Sequence, residues 1–544
     1  MHSLWSDAEA GRLVDRYAAA GVGRDLALRV YTSRLLGGEP RLVLHGGGNT
    51  SVKTVMKDLL DEEVEALCVK GSGWDMAAIE PAGLPAVRLA PLRKLCGREA
   101  LSDEEMVRVQ RANLLDPGAP NPSVETLLHA FLPHKYVDHT HSTAVLSLAD
   151  QPDAAERCAD LYGRRMGLVP YIMPGFLLAK KAAEVFEEDP AVEGLVLLKH
   201  GVFTFGDTAQ EAYERMIAAV SLAEERLTHR RKTIFAAARL PDALAGAAEV
   251  APILRGACAI ADPAGSGSYK RFVLDFRSSK AVLNYVNGAE LGRYGCAGVA
   301  TPDHTIRTKN YPLIVPAPDG GRLDAFKEAA HQSADRFVAE YHAYFARHNA
   351  RQDPPKRELD PMPRVILVPG LGLFGLGRTA MDARIAADIA QSTVETVTDA
   401  EAVGRFESVS EADLFDIEYW SLEQAKLGQS SGKALAGQIA VVTGGAGTIG
   451  LATARAIGNA GAEVALLDID ATAAQAAAKM LGGTALGIEC DVTDRRAVRL
   501  AFHRVAEHFG GVDIVVSNAG AAWQGRIGEV DDAVLRRSFE LNFF

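Results

Sequence analysis

The chain has 544 residues, of which 48% are hydrophobic and 24% are charged, and its mean hydropathy is +0.01. This composition excludes a mainly disordered chain, and the length predicts about three domains. The 58 basic and 70 acidic residues give a formal net charge of -12, which would repel a polyanion from most of the surface. Nucleic acid and anionic membrane are therefore excluded as main partners, whereas a local site for one small phosphate is not.

The sequence carries no pattern of a targeting or membrane segment. Acidic residues near the N-terminus are not followed by the apolar segment of a cleaved secretory signal. The most apolar stretch, residues 365–377, is too short and too rich in Gly and Pro to cross a bilayer as a helix. The six scattered cysteines form no CxxC pair, which predicts reduced, mostly buried thiols in a cytoplasmic protein and no cysteine-based zinc site.

Strand-like and helical patterns alternate along the chain and predict an α/β fold. Two stretches, residues 349–364 and 428–437, predict linkers, and a different pattern of strand, glycine turn and helix begins after the second. We therefore predict three domains, at residues 1–235, 236–430 and 437–544.

Two short sequence repeats predict that the second domain is a copy of the first. Residues 121–140 and 287–305 each place a glutamate 13 residues before an Asp-His-Thr sequence. Residues 196–209 and 366–380 are both strand-like and contain glycine, and an alanine-rich helical pattern follows each. The two sequence repeats occur in the same order in both copies, as an ancient duplication would leave them.

A group of histidines in the first domain predicts a metal site. His139 and His141 are separated by one residue on a predicted strand, so their side chains project to the same side. His200 follows an apolar strand and precedes Gly201, while Glu125 lies at a predicted helix start. Three histidines that leave an open position are typical of a catalytic zinc site, although copper or iron would accept the same ligands.

Two glycine-rich loops precede these histidines and predict a phosphate site. Residues 45–53 offer a run of backbone N–H groups, hydroxyls and one ammonium, and residues 70–73 offer a second short group of donors. Such loops bind phosphate through main-chain donors without a strongly basic surface. Together with the metal site they indicate a phosphorylated sugar or triose as the ligand.

The motifs GGGNTSVK, GSG, Ser123-x-Glu125, HTHS and KHG, spread over residues 46–206, resemble the class II aldolase/adducin family. This family includes metal-dependent fuculose- and rhamnulose-phosphate aldolases. The resemblance implies a zinc ion bound by His139, His141 and His200, with Glu125 as the acid/base. It also implies a phosphate site formed by Gly48, Asn49, Ser72, Gly73 and Ser123.

One departure and one competing mechanism stand beside this resemblance. Val124 occupies a position where relatives often have a second serine, which weakens the phosphate assignment there. A zinc ion that holds the ketose oxygens would stabilise the carbanion of a retro-aldol cleavage. The alternative is a Schiff base at a desolvated lysine, for which Lys199 or Lys70 would serve.

The second copy could not bind the same metal. The sequence Asp303-His304-Thr305-Ile306 keeps one histidine and replaces the other by Ile306, and Leu371 lies where His200 would be. Residues 236–430 are therefore predicted to be a degenerate aldolase-like or accessory domain.

Residues 438–450 predict a nucleotide-binding turn. A β-branched strand leads into G-x-G-x-x-G, formed by Gly445, Gly447 and Gly450, and an alanine-rich helix follows. This order places a pyrophosphate at a helix N-terminus. A second strand ends at Asp468, whose carboxylate would accept ribose hydroxyls and disfavour a 2′-phosphate, so we predict NAD rather than NADP.

The same region resembles the short-chain dehydrogenases. Thr443, Gly444 and Gly450 match their TGxxxGxG motif, in which Thr448 replaces the middle glycine, and Asn542 matches their helix asparagine. The predicted cofactor-binding residues are Gly444, Gly445, Gly447, Ile449, Gly450, Asp468, Asp491, Val492, Asn518, Ala519 and Gly520. The catalytic Tyr-x-x-x-Lys of that family does not occur, which predicts a C-terminally truncated, partial Rossmann domain unable to transfer hydride.

The aldolase-like N-terminal part and the dehydrogenase-like C-terminal part together resemble bifunctional rhamnulose-1-phosphate aldolase/alcohol dehydrogenase proteins. The resemblance implies cleavage of L-rhamnulose 1-phosphate to dihydroxyacetone phosphate and L-lactaldehyde, with NAD chemistry on the aldehyde. Alternatives are another sugar-phosphate aldolase or a 4-epimerase, a non-catalytic adducin-like interaction module, and a plain NAD dehydrogenase with an accessory domain. Relatives of this class lead us to expect a homo-oligomer with a small sugar phosphate as its partner.

Overall fold

The protein is described from a computed structural model that covers residues 1–230, 235–261, 269–427, 432–526 and 528–543. Residues 428–431 of the predicted second linker, and the predicted domain limits at residues 430 and 544, lie outside these ranges. The chain divides into two compact units, each built from separate segments. Unit 1 consists of Met1–Ile234, Arg293–Ile306 and Ser392–Gly428, and unit 2 of Phe235–Gly292, Arg307–Gln391 and Gln429–Phe544. This division differs from the three consecutive domains predicted above.

The first 230 residues form a mixed sheet with helices around it. Its strands are β1 (Asn49–Lys57), β2 (Glu63–Val69), β3 (Ala86–Arg88), β4 (Tyr136–Thr140), β5 (Met166–Val169), β6 (Gly194–Leu197) and β7 (Gly201–Gly206). Its α-helices are α1 (Asp7–Ala18), α2 (Arg24–Gly37), α3 (Leu89–Lys94), α4 (Asp103–Ala112), α5 (Thr126–Phe131), α6 (Thr143–Ala149), α7 (Ala154–Tyr162), α8 (Phe176–Glu188) and α9 (Ala209–Arg230).

Seven of the described strands join in the order β3-β2-β1-β4-β7-β6-β5. Neighbours are antiparallel, except that β5 and β6 are parallel. Both faces of the sheet are covered: Leu195 and Leu197 pack into one core, whereas Val196 packs into the other. A strand buried on both sides reads as a continuous apolar run, which is why the sequence of β6 shows no alternation. The central position of β4 brings the carboxyl end of this strand into the interior.

Residues 235–427 contain a second, smaller sheet of four strands and a separate sheet formed by the first two strands of this region. The strands are β8 (Ile260–Ala261), β9 (Tyr269–Lys270), β10 (Val273–Arg277), β11 (Leu313–Ile314), β12 (Val365–Val368) and β13 (Gly372–Gly377). The helices are α10 (Ala247–Ala257), α11 (Lys280–Val286), α12 (Leu291–Tyr294), α13 (Thr305–Thr308), α14 (Leu323–Asn349), α15 (Ala380–Val403), α16 (Glu411–Glu418) and α17 (Ser421–Gln424).

This second sheet repeats half of the first one. Its order β10-β13-β12-β11, with β11 and β12 parallel and the other pairs antiparallel, matches β4-β7-β6-β5. The predicted repeat of residues 196–209 in residues 366–380 is confirmed. Each segment forms a hairpin followed by a long helix, α9 after the first and α15 after the second. The predicted repeat of residues 121–140 in residues 287–305 is wrong. The counterpart of β4 is β10, and residues 302–308 form short helical turns instead of a strand.

Residues 432–543 form a parallel sheet with helices. It contains β14 (Ile439–Thr443), α18 (Thr448–Asn459), β15 (Glu463–Asp468), α19 (Ala471–Leu481), β16 (Leu486–Glu489), α20 (Arg495–Phe509), β17 (Ile514–Val516) and α21 (Asp532–Asn542). The strands are parallel and lie in the order β16-β15-β14-β17. This is the strand order of a Rossmann half with the next strand added beside β14.

Within unit 2 this parallel sheet shares a core with β10. Val273 packs with Ile439, Val441 and Phe509 in one apolar cluster. The side chain of Arg255, on α10, binds both carboxylate oxygens of Asp513 at 2.9 and 2.6 Å. In the chain as described, no helix has both the length and the apolar character to cross a membrane.

Candidate functional site

The three predicted metal ligands meet at the carboxyl end of β4. His139 is the penultimate residue of that strand, His141 follows it, and His200 lies in the turn between β6 and β7. The ring centroid of His139 lies 4.8 Å from that of His141 and 5.1 Å from that of His200. One nitrogen from each ring can be chosen so that all three lie within 4.8 Å of one another.

Backbone geometry holds His200 against the other two histidines. Lys199 has φ of 58°, a left-handed conformation that closes the turn after β6. A Cβ atom on Gly201 would lie 2.6 Å from the carbonyl oxygen of Thr140 and 2.9 Å from Cε1 of His139. Glycine is therefore required at residue 201, because the turn lies directly on the end of β4.

Polar contacts at the outer nitrogens orient two of the rings, a hydrogen bond for His139 and a neighbouring carboxylate for His141. His139 Nδ1 lies 3.1 Å from the carbonyl oxygen of Val202, and His141 Nδ1 lies 3.5 Å from Asp303 Oδ1. An N–H at Nδ1 leaves the lone pair on Nε2, and the two Nε2 atoms are 3.1 Å apart. Two neutral imidazole nitrogens at this distance need a proton or a cation between them. Metal-bound histidines are typically oriented by such carbonyl and carboxylate partners.

Burial keeps these imidazoles neutral. Desolvation lowers the pKa of His139 to about 3 and that of His200 to about 4. It also lowers the pKa of His141 well below its usual value, against the opposing effect of Asp303. Neutral imidazole is the form that binds a metal ion, so this group of residues fits a divalent metal.

The carboxylate of Glu125 lies against the same nitrogens. Glu125 directly precedes α5 and is buried, with Oε1 at 3.4 Å from His200 Nε2 and Oε2 at 3.5 Å from His139 Nε2. The amide of Asn49 donates a hydrogen bond of 2.5 Å to Oε2. Within the described residues no hydrogen bond reaches Oε1, which leaves this oxygen available to accept a proton.

Asn49 is itself held by a histidine that the motifs did not reveal. His129 is fully buried, and burial holds its pKa well below the usual range, so its ring is neutral. Its Nε2 contacts Asn49 Oδ1, and its Nδ1 lies 2.8 Å from Ser51 Oγ. Because an amide oxygen only accepts, Nε2 carries the proton and Nδ1 accepts from Ser51. This chain of hydrogen bonds fixes which end of the Asn49 amide faces Glu125.

The predicted phosphate residues line the pocket beside the histidines. Gly48 has φ of 57°, and a Cβ atom there would lie 2.7 Å from the carbonyl oxygen of His139. Ser123 Oγ accepts from the Asn49 amide at 3.1 Å. Lys70 donates to the carbonyl oxygen of Gly46 at 3.0 Å and so supports the first glycine loop. The pocket lining contains all five predicted phosphate residues, namely Gly48, Asn49, Ser72, Gly73 and Ser123.

Three further residues of the pocket come from much later in the chain. Asp303, Glu423 and Lys426 line it together with His141 and His200, and all three belong to unit 1. The sequence indicated Asp303 only as part of the predicted repeat at residues 287–305, and no motif indicated Glu423 or Lys426. Burial would raise the pKa of Asp303, but His141, His304 and Lys426 together lower it.

Of the two lysines considered for a Schiff base, one lies in this pocket. Burial lowers the pKa of Lys70 to about 8. The Nζ atom of Lys199 instead bonds to Glu407 Oε1 at 2.6 Å and to the carbonyl oxygen of Ser408 at 3.0 Å. Lys70 is therefore the lysine with which the alternative mechanism has to be tested.

In unit 2, the glycine turn after β14 has the geometry of a nucleotide site. Gly444 has φ of 61°, and a Cβ atom on Gly450 would lie 2.2 Å from the Gly444 carbonyl oxygen. Gly447 directly precedes α18, while a Cβ atom on Gly445 would lie 2.8 Å from Leu466. The close approach of turn and helix exposes the N-terminal amides of α18, which suits a pyrophosphate. Ile449 is exposed in the first turn of this helix.

The other predicted nucleotide residues lie at strand ends of the same sheet. Asp468 Oδ2 accepts from the backbone N–H of Ala446 at 3.0 Å. The amide of Asn518 donates to the carbonyl oxygens of Thr443 and Gly444, at 3.0 and 3.2 Å. Asp491 accepts from the backbone N–H of Thr493 at 2.9 Å. The remaining three follow β16 or β17 and are Val492, Ala519 and Gly520.

Comparison with known families gives three matches along the chain. The class II aldolase and adducin N-terminal domain matches residues 27–227, and the second domain of class II aldolase matches residues 245–427. The short chain dehydrogenase family matches residues 438–544.

Individual relatives match either nearly the whole chain or one part of it. The oxidoreductase YuxG of Bacillus subtilis (strain 168), which is named as uncharacterized, is 34% identical over 93% of this chain and 74% of its own length. The short chain dehydrogenase/reductase AacuN of Aspergillus aculeatus is 43% identical over 20% of this chain and 42% of its own length. The solved N-terminal class II aldolase domain of a conserved protein from Thermoplasma acidophilum is 38% identical over 42% of this chain and 99% of its own, with a TM-score of 0.37.

Proposed function

Because the chain belongs to the family of proteins that join class II aldolase domains to a short-chain dehydrogenase domain, we propose that it is a metal-dependent aldolase. Its proposed substrate is L-rhamnulose 1-phosphate, and its products are dihydroxyacetone phosphate and L-lactaldehyde. The observation that carries the proposal is the convergence of three neutral imidazoles, two of which contact the carboxylate of Glu125, beside a pocket lined by glycine loops.

A divalent metal held by His139, His141 and His200 would supply Lewis-acid stabilisation of the charge that develops on the ketose oxygens. Zinc is our proposal for this metal. Glu125 takes the proton of the C4 hydroxyl through its Oε1, and the C3–C4 bond then breaks. The electron pair of the broken bond stays on C3, and C4 becomes the aldehyde carbon. Glu125 then returns the proton to C3. Asn49 orients the carboxylate through its hydrogen bond to Oε2.

For the dehydrogenase domain we propose that NAD binds at the turn of residues 444–450, whereas hydride transfer to or from the aldehyde would need a Tyr-x-x-x-Lys that residues 438–544 do not carry. The glycine turn suits a pyrophosphate, and the carboxylate of Asp468 at the end of β15 favours a free ribose hydroxyl over a 2′-phosphate.

The first experiment follows release of dihydroxyacetone phosphate from L-rhamnulose 1-phosphate by metal-replete and chelator-stripped protein. Metal content is measured on the same samples. We expect activity to disappear on stripping and to return with zinc. Borohydride with substrate present tests Lys70, because it would inactivate and label a Schiff-base enzyme. A protein that binds no metal and cleaves no sugar phosphate would contradict the proposal.

Substrate choice is tested on the same samples. L-fuculose 1-phosphate tests another aldolase specificity, and a ribulose 5-phosphate tests 4-epimerisation. We expect L-rhamnulose 1-phosphate to give the highest kcat/KM, and a higher value for another compound would reassign the substrate and leave the metal chemistry in place.

A further inference from the structure

The pocket beside the histidines is rich in carboxylates. Glu125, Asp303 and Glu423 all line it, and the chain as a whole carries a formal net charge of -12. A phosphate dianion that enters such a pocket meets repulsion from these carboxylates, which the backbone N–H groups of the glycine loops and a metal ion at the histidines would offset in part. A fixed cation close to the glycine loops would offset this repulsion.

Lys426 is placed to be that cation. It lies in the short helical turn of Ala425–Leu427, within the range matched by the second class II aldolase domain. Its backbone lies beside the second glycine loop, since a Cβ atom on Gly73 would lie 3.9 Å from the carbonyl oxygen of Lys426. Its side chain lines the pocket and remains 21% exposed.

A buried carboxylate positions this ammonium. Lys426 Nζ lies 2.5 Å from Oε1 of Glu423, whose side chain is only 2% exposed. Burial of Lys426 lowers its pKa, but Glu423 and Asp303 outweigh that effect and raise it, so the lysine stays charged at neutral pH. An ammonium has three N–H donors, and the bond to Glu423 takes one of them.

Lys70 is less suited to this role. Its Nζ atom donates to the Gly46 carbonyl oxygen at 3.0 Å, and burial lowers its pKa to about 8. A part of the Lys70 population is therefore neutral near pH 8, whereas Lys426 keeps its charge.

We propose that Lys426 is a specificity-determining residue of this site, whose ammonium selects ligands that carry a phosphate group while Glu423 holds it in position. The inference rests on the proposed function for the identity of the substrate, but phosphate binding can be measured without turnover. It also gives residues 293–306 and 392–427 a role, because they bring Asp303 and Lys426 into the pocket of unit 1.

The test compares the parent protein with Lys426→Gln and Lys426→Arg. Calorimetry measures binding of inorganic phosphate, dihydroxyacetone phosphate and dihydroxyacetone to the metal-replete full chain. We expect Lys426→Gln to bind both phosphate ligands about 10-fold more weakly or worse, because a charge-assisted hydrogen bond is lost. Binding of dihydroxyacetone should not change, and Lys426→Arg should recover most of the phosphate affinity.

Lys135→Gln is the matched control. Lys135 forms an ion pair of 2.7 Å with Asp25 and does not line the pocket, so its loss should leave phosphate binding unchanged. Circular dichroism and metal content establish that each variant is folded. Equal phosphate affinity of Lys426→Gln and parent protein would overturn the inference, as would equal losses for dihydroxyacetone. Phosphate binding that depends on Lys426, in a protein that cleaves nothing, would support the inference and refute the proposed cleavage.

Discussion

Glu125 is positioned to move a proton because only one of its oxygens is held by the protein. Asn49 donates to Oε2, whereas Oε1 faces His200 Nε2 at 3.4 Å. We expect Glu125→Gln to lower kcat by about 100- to 10,000-fold, the range typical of a lost general base. Because the three histidines remain, metal content should stay at the parent level. Turnover and metal analysis of one preparation check both statements.

Glu62→Gln is a control for this variant, since Glu62 is exposed and distant from the pocket lining. Parent-like turnover of Glu125→Gln would assign proton transfer to another group. A simultaneous loss of metal would instead make Glu125 part of the metal shell.

Asp303 acts one step further from the chemistry, through His141. Its Oδ1 atom lies 3.5 Å from His141 Nδ1 and accepts from the hydroxyl of Thr301 at 3.0 Å. An outer carboxylate of this kind fixes the ring and raises its basicity. We expect Asp303→Asn to weaken zinc binding by about 10- to 100-fold, measured by competition with a chromogenic chelator.

Asp189→Asn serves as the comparison, because it removes a carboxylate that pairs with the exposed Arg164 at the surface. If Asp303→Asn binds zinc as tightly as Asp189→Asn, then Asp303 does not support the metal site.

The repeated four-stranded arrangement identifies the positions in residues 235–427 that correspond to the three histidines. Leu197 pairs with Gly201 across the first hairpin, and Val368 pairs with Gly372 across the second. His139 lies opposite Phe203 on β7, and Phe276 lies opposite the equivalent Phe374. The counterparts of His139, His141 and His200 are therefore Phe276, Ser278 and Leu371. The second sheet has no histidine at any of these three positions.

The sequence predicted one half of this repeat and misplaced the other for a physical reason. Both hairpins have glycine at the two ends of their second strand, so residues 196–209 and 366–380 can be matched directly. The strand β10 contains no histidine, whereas His139 and the following His141 make β4 recognisable. An unrelated Asp-His-Thr at residues 303–305 was matched in its place. Without histidines at these positions, only strand pairing shows that the two arrangements correspond.

The turn between β6 and β7 ties stability to the metal site. An added Cβ atom at Gly201 would overlap the end of β4, and such overpacking typically costs about 1–3 kcal/mol. We expect Gly201→Ala to lower the free energy of unfolding by about this amount and to weaken zinc binding, because His200 is displaced. Denaturant unfolding and chelator competition measure the two effects. Gly97→Ala is the control, because nothing lies within 4 Å of its added Cβ atom; similar behaviour of both variants would contradict the argument.

Arg255 and Asp513 connect α10 to the parallel sheet of unit 2. Both side chains are nearly buried, and the guanidinium also donates to the carbonyl oxygens of Phe272 and Gly437. Removal of one partner leaves the other charge buried, which typically costs about 3–5 kcal/mol. We therefore expect Arg255→Met to lower the unfolding temperature markedly in calorimetry. Arg164→Met, which breaks an exposed pair, should leave it unchanged, and equal stability of the two variants would contradict this account.

Across the whole molecule, local motifs and long-range packing were predictable to different degrees. HTHS, KHG and the glycine loops are short motifs, so their chemistry could be inferred before any fold was known. Asp303, Glu423 and Lys426 have no neighbouring pattern, and only folding brings them to the pocket. The same distinction explains the units: composition marks a linker near residue 430, but it cannot show which side chains pack together on either side of it.

The packing within unit 2 predicts that the parallel sheet and the second aldolase-like half depend on each other. Val273 lies in the core of that sheet, and a Cβ atom on Gly510 would lie 2.9 Å from Leu274. A chain that ends at residue 436 exposes this surface and leaves Arg255 without Asp513. We expect limited proteolysis to cut residues 235–292 in the shortened chain and not in the full one.

Zinc binding provides the internal control for this truncation, because the three histidines, Glu125 and Asp303 all belong to unit 1. We expect the shortened chain to bind zinc with the affinity of the full chain while its second half is digested. Resistance of residues 235–292 in both chains would mean that the second aldolase-like half folds without the parallel sheet. The ion pair and the shared core would then add stability to a half that is already folded, and the three predicted domains would be the better description of the molecule.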